Sequence, residues 1–284
     1  MTEGVRESHN YPKASESLNA SLKRERADFN ASVRAEGWGA EVLSGAQSGV
    51  CERGAEFLKN KEDMLLALCL NNGYYNRENI YRMLKFALAF SRRVQVFTTD
   101  GPTRHNYRAL RPDMDTIGVE RKIRLEKHGL QNKIKDALKR INIALPADAQ
   151  RSVIFLEWQP IYADTQYQKD HVLLQELYDN NSDFRRDIES ATRYVLSNRK
   201  GMKGDMEQAL NEGVHYVLEE LAFIRAYSRL GAEAKPVADH GAKVFNYIYY
   251  ESWPVFEKLM NGGYGSESST EVGYVIVKMI SNEI

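Results

Sequence analysis

The chain has 284 residues, 43% of them hydrophobic, which is enough for one sizeable domain with a real core. Its 39 Lys and Arg are balanced by 39 Asp and Glu, so whole-chain charge argues for neither a nucleic-acid nor a membrane partner, and any such case has to be local. The longest apolar run, Met64 to Leu70, falls far short of the roughly 20 residues that span a bilayer. The polar start MTEGVRESHN reads as having no signal-peptide core, and two cysteines without a secretory signal read as free thiols; the expectation is a cytoplasmic globular protein.

In chain order, residues 1–55 are rich in Ser, Asn, Glu and Arg and poor in apolar periodicity. They are expected to form a polar N-terminal extension, with one helix around Leu22 to Val33, ahead of a single folded domain over 56–284. Met64 to Cys69 is a continuous apolar run closed by Asn71-Asn72-Gly73, as in a buried parallel strand ending in a turn. Ile80, Met83, Leu84, Ala87 and Phe90 recur at helical spacing over Arg77 to Ser91, and Val94 to Phe97 follows as a strand, completing a β-α-β unit. Asn106 to Ile143 reads as one long helix, and Ser152 to Glu157 as a third strand stopped by Trp158-Gln-Pro160. Helices are expected near Asp164 to Tyr178, Asp183 to Leu196 and Met206 to Arg229, the last two parted by Gly201 and Gly204. Strands over Lys243 to Tyr250 and Val272 to Met279 follow, with a short helix around Trp253 to Met260 between them. This alternation specifies an α/β fold, a Rossmann-like three-layer sandwich with a mainly parallel sheet.

Three features can carry chemistry, and each has a plainer reading beside it. Between Arg92 and Arg140 there are 13 Lys and Arg against 6 Asp and Glu. In the last part of that segment Leu130, Ile134, Leu138 and Ile141 make one helical stripe, while Lys133, Lys135, Lys139 and Arg140 spread over the other side. This is either a solvated amphipathic helix or a surface for a phosphate backbone. Cys69 ends the first strand, where α/β sheets bind ligands, yet cysteine is also a common packing residue. Tyr216 and Glu220 lie one turn apart beside the apolar Val217, Leu221 and Ile224, so they share a helix face. A carboxyl there could work as an acid or base, or Glu219 and Glu220 could simply face solvent. Walker and G-x-G-x-x-G phosphate loops are absent, and the six histidines form no H-E-x-x-H pattern, which argues against a metal site.

Taken together, Cys69 to Asp100 (CLNNGYYNRENIYRMLKFALAFSRRVQVFTTD), His215-Tyr-Val-Leu-Glu-Glu220, Asn246-Tyr247 and Asn198-Arg199 resemble, in order, the signature stretches of the cyclodipeptide synthases. The resemblance implies a fold like the catalytic domain of the tyrosyl and tryptophanyl class I aminoacyl-tRNA synthetases. The HIGH and KMSKS signatures are missing, as suits an enzyme whose substrates arrive already activated. It implies two aminoacyl-tRNAs per turnover, a ping-pong mechanism, a monomer, and no cofactor, metal or membrane.

Cys69 would be the nucleophile, where serine is usual in the family; a thiol needs less help from a base, and the intermediate would be a thioester that amines cleave readily. Tyr216 with Glu220 would hold the α-amino group, Tyr247 would fix the substrate, Glu220 would accept a proton, and Asn72 would position the loop or steady the oxyanion. Leu65 and Ala67, on the strand face of Cys69, together with Asn198 and Arg199, would contact substrate. Arg121, Lys122, Arg124, Lys127, Lys133, Lys135, Lys139 and Arg140 would contact tRNA. Ile248 departs from the Gln or Pro that family subgroups often carry. A non-catalytic tRNA-binding relative and a Cys-dependent hydrolase stay open as alternatives.

Overall fold

The computed structural model describes residues 40–43, 49–144, 153–198, 205–233 and 244–279. The helix expected near residues 22–33 and the site residue Arg199 lie outside these described residues. Six strands form one sheet: β1 (Ala40–Leu43), β2 (Asp63–Leu68), β3 (Val94–Thr98), β4 (Val153–Leu156), β5 (Phe245–Tyr249) and β6 (Val272–Met279), in the order β1-β6-β5-β2-β3-β4. All neighbours are parallel except β1, which runs antiparallel to β6 along the edge. The Rossmann-like three-layer reading therefore holds.

Strand alternation sorts the core onto two faces. Leu65, Ala67, Phe97, Tyr247 and Tyr274 pack on one side with Trp158, Phe223 and Phe256, and Met64, Leu66, Val94, Val96 and Ile248 on the other with Met83, Leu84 and Ile134. The second face is covered by α2 (Arg77–Phe90) and α4 (Thr116–Ala144). The first is covered by α6 (Thr165–Asn180), α7 (Ser182–Ser197), α8 (Met206–Glu233) and α9 (Pro254–Met260). Helix α8 is the central one, with Leu218, Leu221, Ala222 and Phe223 all fully buried.

Three departures from the periodicity have local causes. Where one helix was expected over residues 106–143, the chain makes α3 (Thr103–Leu110) and then α4. Pro112 has no N–H to give and disfavours helical backbone at Arg111 before it, so the helix restarts beyond the turn. Residues 158–162 form a short helix, α5 (Trp158–Tyr162), with Pro160 in its first turn, where no hydrogen bond is lost. Finally, β1 and the first part of α1 (Gly49–Lys59) fall in the stretch 1–55 expected to be a polar extension. Helix α1 lies against β6 through a glycine-to-glycine approach: a Cβ on Gly54 would strike the Tyr274 carbonyl, and one on Gly273 would strike Gly54 and Asn246. The Asn246 amide donates to the Gly54 carbonyl at 3.2 Å across this contact.

Candidate active site

The strand order reverses between β2 and β5: from β2 the chain builds outward through β3 and β4, then returns to the other side of β2 with β5 and β6. A crevice at the carboxyl end of a sheet forms at such a switch point. The side chains at the ends of the three central strands meet there. Cys69 follows β2, Thr99 follows β3, and Tyr249 ends β5.

Cys69 is only partly buried, and the chain turns sharply after it because Asn71 adopts φ +56°, a conformation asparagine tolerates better than most residues. Asn72 locks the turn by accepting from the Tyr74 N–H at 3.0 Å and donating to the Tyr250 hydroxyl at 2.9 Å. Tyr74 and Tyr250 stack at 4.0 Å, and the Tyr75 hydroxyl donates back to the Ala67 carbonyl at 3.0 Å.

Helix α8 supplies the opposing wall. The Tyr216 hydroxyl lies 3.5 Å from the Cys69 sulfur and 3.2 Å from the Thr99 hydroxyl. One turn on, Glu220 is 5% exposed and accepts from the Tyr247 hydroxyl at 3.2 Å. Burial lifts the Glu220 carboxyl to about 7, with the Tyr247 bond opposing. Burial, and then the nearby Glu220 charge, push the Cys69 thiol up to about 12, although hydrogen bonds from Tyr216, Thr99 and Tyr249 favour its thiolate. Burial likewise holds the Tyr216 phenol well above its usual value. The Cys69 side chain thus rests as a neutral thiol.

The two adjacent glutamates of α8 part company. Glu219 accepts from the Tyr162 hydroxyl at 2.7 Å and lies 3.2 Å from His105, whose other ring nitrogen is 2.6 Å from Glu212. Burial alone would raise its carboxyl, but the His105 and Tyr162 bonds and the nearby Arg104 hold it below the usual range. Neither glutamate simply faces solvent.

A cleft of about 580 Å³ opens at Cys69, lined among others by Tyr216, Val217, Glu220, Tyr249, Trp253 and Val255. Five of the expected site residues, Cys69, Asn72, Tyr216, Glu220 and Tyr247, therefore converge, with Tyr247 fully buried behind Glu220. Leu65 and Ala67 do not line the cleft. Both are fully buried in the core beneath it, because the two strand residues share their face with Tyr247 and Phe97. Asn198 caps α7 in an exposed position, its amide spent on the Tyr194 carbonyl at 3.0 Å. Thr99 and Tyr249 were not singled out from sequence. The rule placing ligands at strand ends pointed to Thr99, and the period-two step from Tyr247 pointed to Tyr249.

On α4, Arg121, Lys122, Arg124, Lys135 and Lys139 are exposed. The other three cations, of which Arg140 is also exposed, are engaged within the protein. Lys127 pairs with Asp100 at 2.9 Å, Lys133 donates to the Tyr75 carbonyl at 3.0 Å, and Arg140 pairs with Glu78 at 3.1 Å over the Tyr81 ring. Among the described residues no group of His, Cys, Asp and Glu could hold a metal ion, and no helix is long and apolar enough to cross a membrane.

The fold is shared with solved structures at low identity. A cyclodipeptide synthase from Bacillus thermoamylovorans superposes with a TM-score of 0.66 at 22% identity, covering 85% of this chain and 96% of that one. A Mycobacterium tuberculosis relative, described as related to type I tRNA synthetases, gives 0.61 at 20%, covering 85% and 94%. The cyclodipeptide synthase of Candidatus Glomeribacter gigasporarum, solved bound to Phe-tRNAPhe, gives 0.55 at 14%, covering 78% and 89%. No curated protein sequence matches the chain. The family model described as cyclodipeptide synthase matches residues 46–279, most of the chain; the protein belongs to the cyclodipeptide synthase family and is an enzyme of that kind.

Proposed function

We propose that the protein makes a 2,5-diketopiperazine from two aminoacyl-tRNAs by a ping-pong route through Cys69. The observation that carries this reading is the convergence of Cys69, Tyr216, Glu220 and Tyr247 at one cleft beside a helix with an exposed cationic side. Sulfur attacks the first aminoacyl ester, the sulfur–carbon bond forming as the ester C–O bond breaks, and the thiol proton leaves on the departing ribose oxygen. Because the resting group is a thiol, attack and proton loss are coupled, and Tyr216 and Thr99 steady the negative charge that gathers on sulfur.

The amino group of the bound residue then attacks the second aminoacyl ester, the amide C–N bond forming as the ester C–O bond breaks and the second tRNA leaving with a proton on its ribose oxygen. Glu220, with its carboxyl at about 7, sits near the pH of use and can take the ammonium proton. Internal aminolysis of the dipeptidyl thioester closes the ring and restores the thiol. The exposed Arg121, Lys122, Arg124, Lys135 and Lys139 carry the phosphate backbone, while Lys127, Lys133 and Arg140 shape and hold the helix that presents them.

A hydrolase using a Cys-His pair has no support, since the hydrogen-bond partners of Cys69 among the described residues are hydroxyls and not a histidine. A tRNA-binding relative without activity would not require Glu220 to stay buried beside the nucleophile. The deciding experiment is incubation with a pool of aminoacyl-tRNAs and mass spectrometry of the products. A diketopiperazine is expected from the wild type and none from Cys69→Ala; unchanged product from that variant would sink the nucleophile assignment.

A further inference from the structure

Hydroxyls from three different elements meet at the Cys69 sulfur. Tyr216 approaches from α8 at 3.5 Å and Thr99 from the end of β3, while the Tyr249 hydroxyl hydrogen-bonds the same sulfur from the end of β5. We propose that Tyr249 is a further catalytic residue, a neutral shuttle that takes up the thiol proton and passes its own to the ribose oxygen leaving the aminoacyl ester. The inference rests on the reading of the protein as a tRNA-dependent synthase acylated on Cys69.

Sheet register brings this phenol to the sulfur. Strand β5 pairs in parallel with β2, Tyr247 lying opposite Leu65. Two residues on, Tyr249 shares the Tyr247 face and stands level with the end of β2, just short of Cys69. Its ring stacks on Tyr247 at 6.1 Å and lies 4.6 Å from the Tyr250 ring, so packing aims the hydroxyl without consuming it. That hydroxyl shares a second hydrogen bond with Tyr250. The side-chain oxygen of Asn72 is held by the Tyr74 N–H, which leaves the Asn72 amide to donate to the Tyr250 hydroxyl at 2.9 Å. Because the Tyr250 oxygen accepts there, its own proton can serve the bond to Tyr249. A phenol has one proton to give and two lone pairs, so Tyr249 can accept from Tyr250 and from the thiol while donating to a leaving oxygen.

The reaction itself asks for such a bridge. A proton passing straight from sulfur to an oxygen on the same carbon would have to close a strained four-membered ring, and one intervening hydroxyl widens it to six. In the tetrahedral adduct the leaving oxygen lies two bonds from sulfur, within reach of a hydroxyl that touches sulfur. The sulfur–carbon bond forms, the ester C–O bond breaks, the thiol proton goes to the Tyr249 oxygen, and the Tyr249 proton goes to the ribose oxygen. The phenol ends as it began. Burial, and then the Cys69 charge, hold that phenol well above its usual value, so it stays protonated between turnovers. The other candidates are differently engaged. Thr99 is fully buried, Tyr216 is bonded to it at 3.2 Å, and Glu220 accepts from Tyr247 rather than from the thiol. Tyr249 and its partner Tyr250 both line the cleft.

Tyr249→Phe keeps both ring contacts and removes only the hydroxyl. Acylation of Cys69 is followed by rapid quenching and intact mass with two donors carrying the same amino acid. One is the aminoacyl-tRNA, and the other is the aminoacyl thioester of N-acetylcysteamine, whose thiolate leaves without needing a proton. The variant should be acylated about a hundredfold more slowly by aminoacyl-tRNA but no more than about threefold more slowly by the thioester, with half-saturating concentrations unchanged. An equal loss with both donors would reduce Tyr249 to a packing role and overturn the assignment, and so would no loss with either. A wild-type protein acylated by neither donor overturns the synthase reading itself, and the shuttle with it.

Discussion

The Tyr216 hydroxyl stands 3.5 Å from the Cys69 sulfur and 3.2 Å from the Thr99 hydroxyl, so the phenol joins the thiol to the end of the neighbouring strand. The phenol favours the thiolate, against burial and Glu220, which push the thiol up to about 12. Tyr216→Phe removes that help. Alkylation of Cys69 by iodoacetamide should be slow in the wild type near neutral pH, climb steadily without a plateau below pH 10, and become slower still in the variant. Product formation should fall about a hundredfold, roughly the loss of one charge-stabilising donor. A Cys69 that alkylates at full rate at pH 7 would contradict the geometry.

Glu220 gives a pH signature of known sign. Burial raises its carboxyl from 4.5 to about 7, so the folded protein holds this proton more tightly than the unfolded chain does. Its contribution to stability is full below pH 4.5 and is lost as pH rises through 7. Glu220→Gln should therefore match the wild type in acid and gain on the order of 2–3 kcal/mol above pH 7.5, measured by urea unfolding at several pH values. Activity should move the other way. The wild type rises through an apparent pKa near 7 as the base forms, and the variant stays low throughout.

The scaffold was legible because strands buried on both faces are dominated by apolar, β-branched and aromatic residues, as in Met64–Leu68 of β2 and in β3, β5 and β6. Its edge was not. Strand β1 has four residues, and the apolar stripe of α1, Val50, Cys51, Phe57 and Leu58, is short and interrupted by Gly54, which lies against the Tyr274 backbone. The helix bearing Tyr216 and Glu220 was readable, but which glutamate stood beside Cys69 depended on His105 and Tyr162, far away in the chain, capturing Glu219. Leu65 and Ala67 mislead for a related reason. Sharing a face with a strand-end residue says nothing about depth, and the cleft opens above the strand ends, so residues further back lie in the core.

The proposed sulfur nucleophile sets how the proposed intermediate breaks. An aminoacyl group on Cys69 should be stripped within minutes by neutral hydroxylamine, because amines cleave thioesters readily. Cys69→Ser keeps a nucleophile in the same place at the cost of the softer atom. It should form an oxygen ester that resists the same treatment, with turnover lowered about 10- to 100-fold. Equal hydroxylamine resistance in the two proteins would place the acyl group on another residue.

Helix α4 divides its cations into exposed and engaged ones, and the two kinds should fail differently. Reversing the exposed pair Lys135 and Lys139 to Glu takes away the proposed phosphate contacts without touching the engaged Lys127, Lys133 and Arg140. It should weaken aminoacyl-tRNA binding about tenfold or more and flatten its salt dependence, with the melting temperature unchanged. Lys127→Ala breaks the 2.9 Å pair with Asp100, whose other oxygen accepts from the Thr98 hydroxyl at 3.0 Å. That pair is only partly exposed, so its loss should cost about 1 kcal/mol of stability. It should change the salt slope of binding by less than the double reversal does, as read from filter-binding titrations between 50 and 300 mM salt, about the range over which phosphate contacts dominate affinity. If both variants shift the slope alike, the line between exposed and engaged cations is drawn in the wrong place.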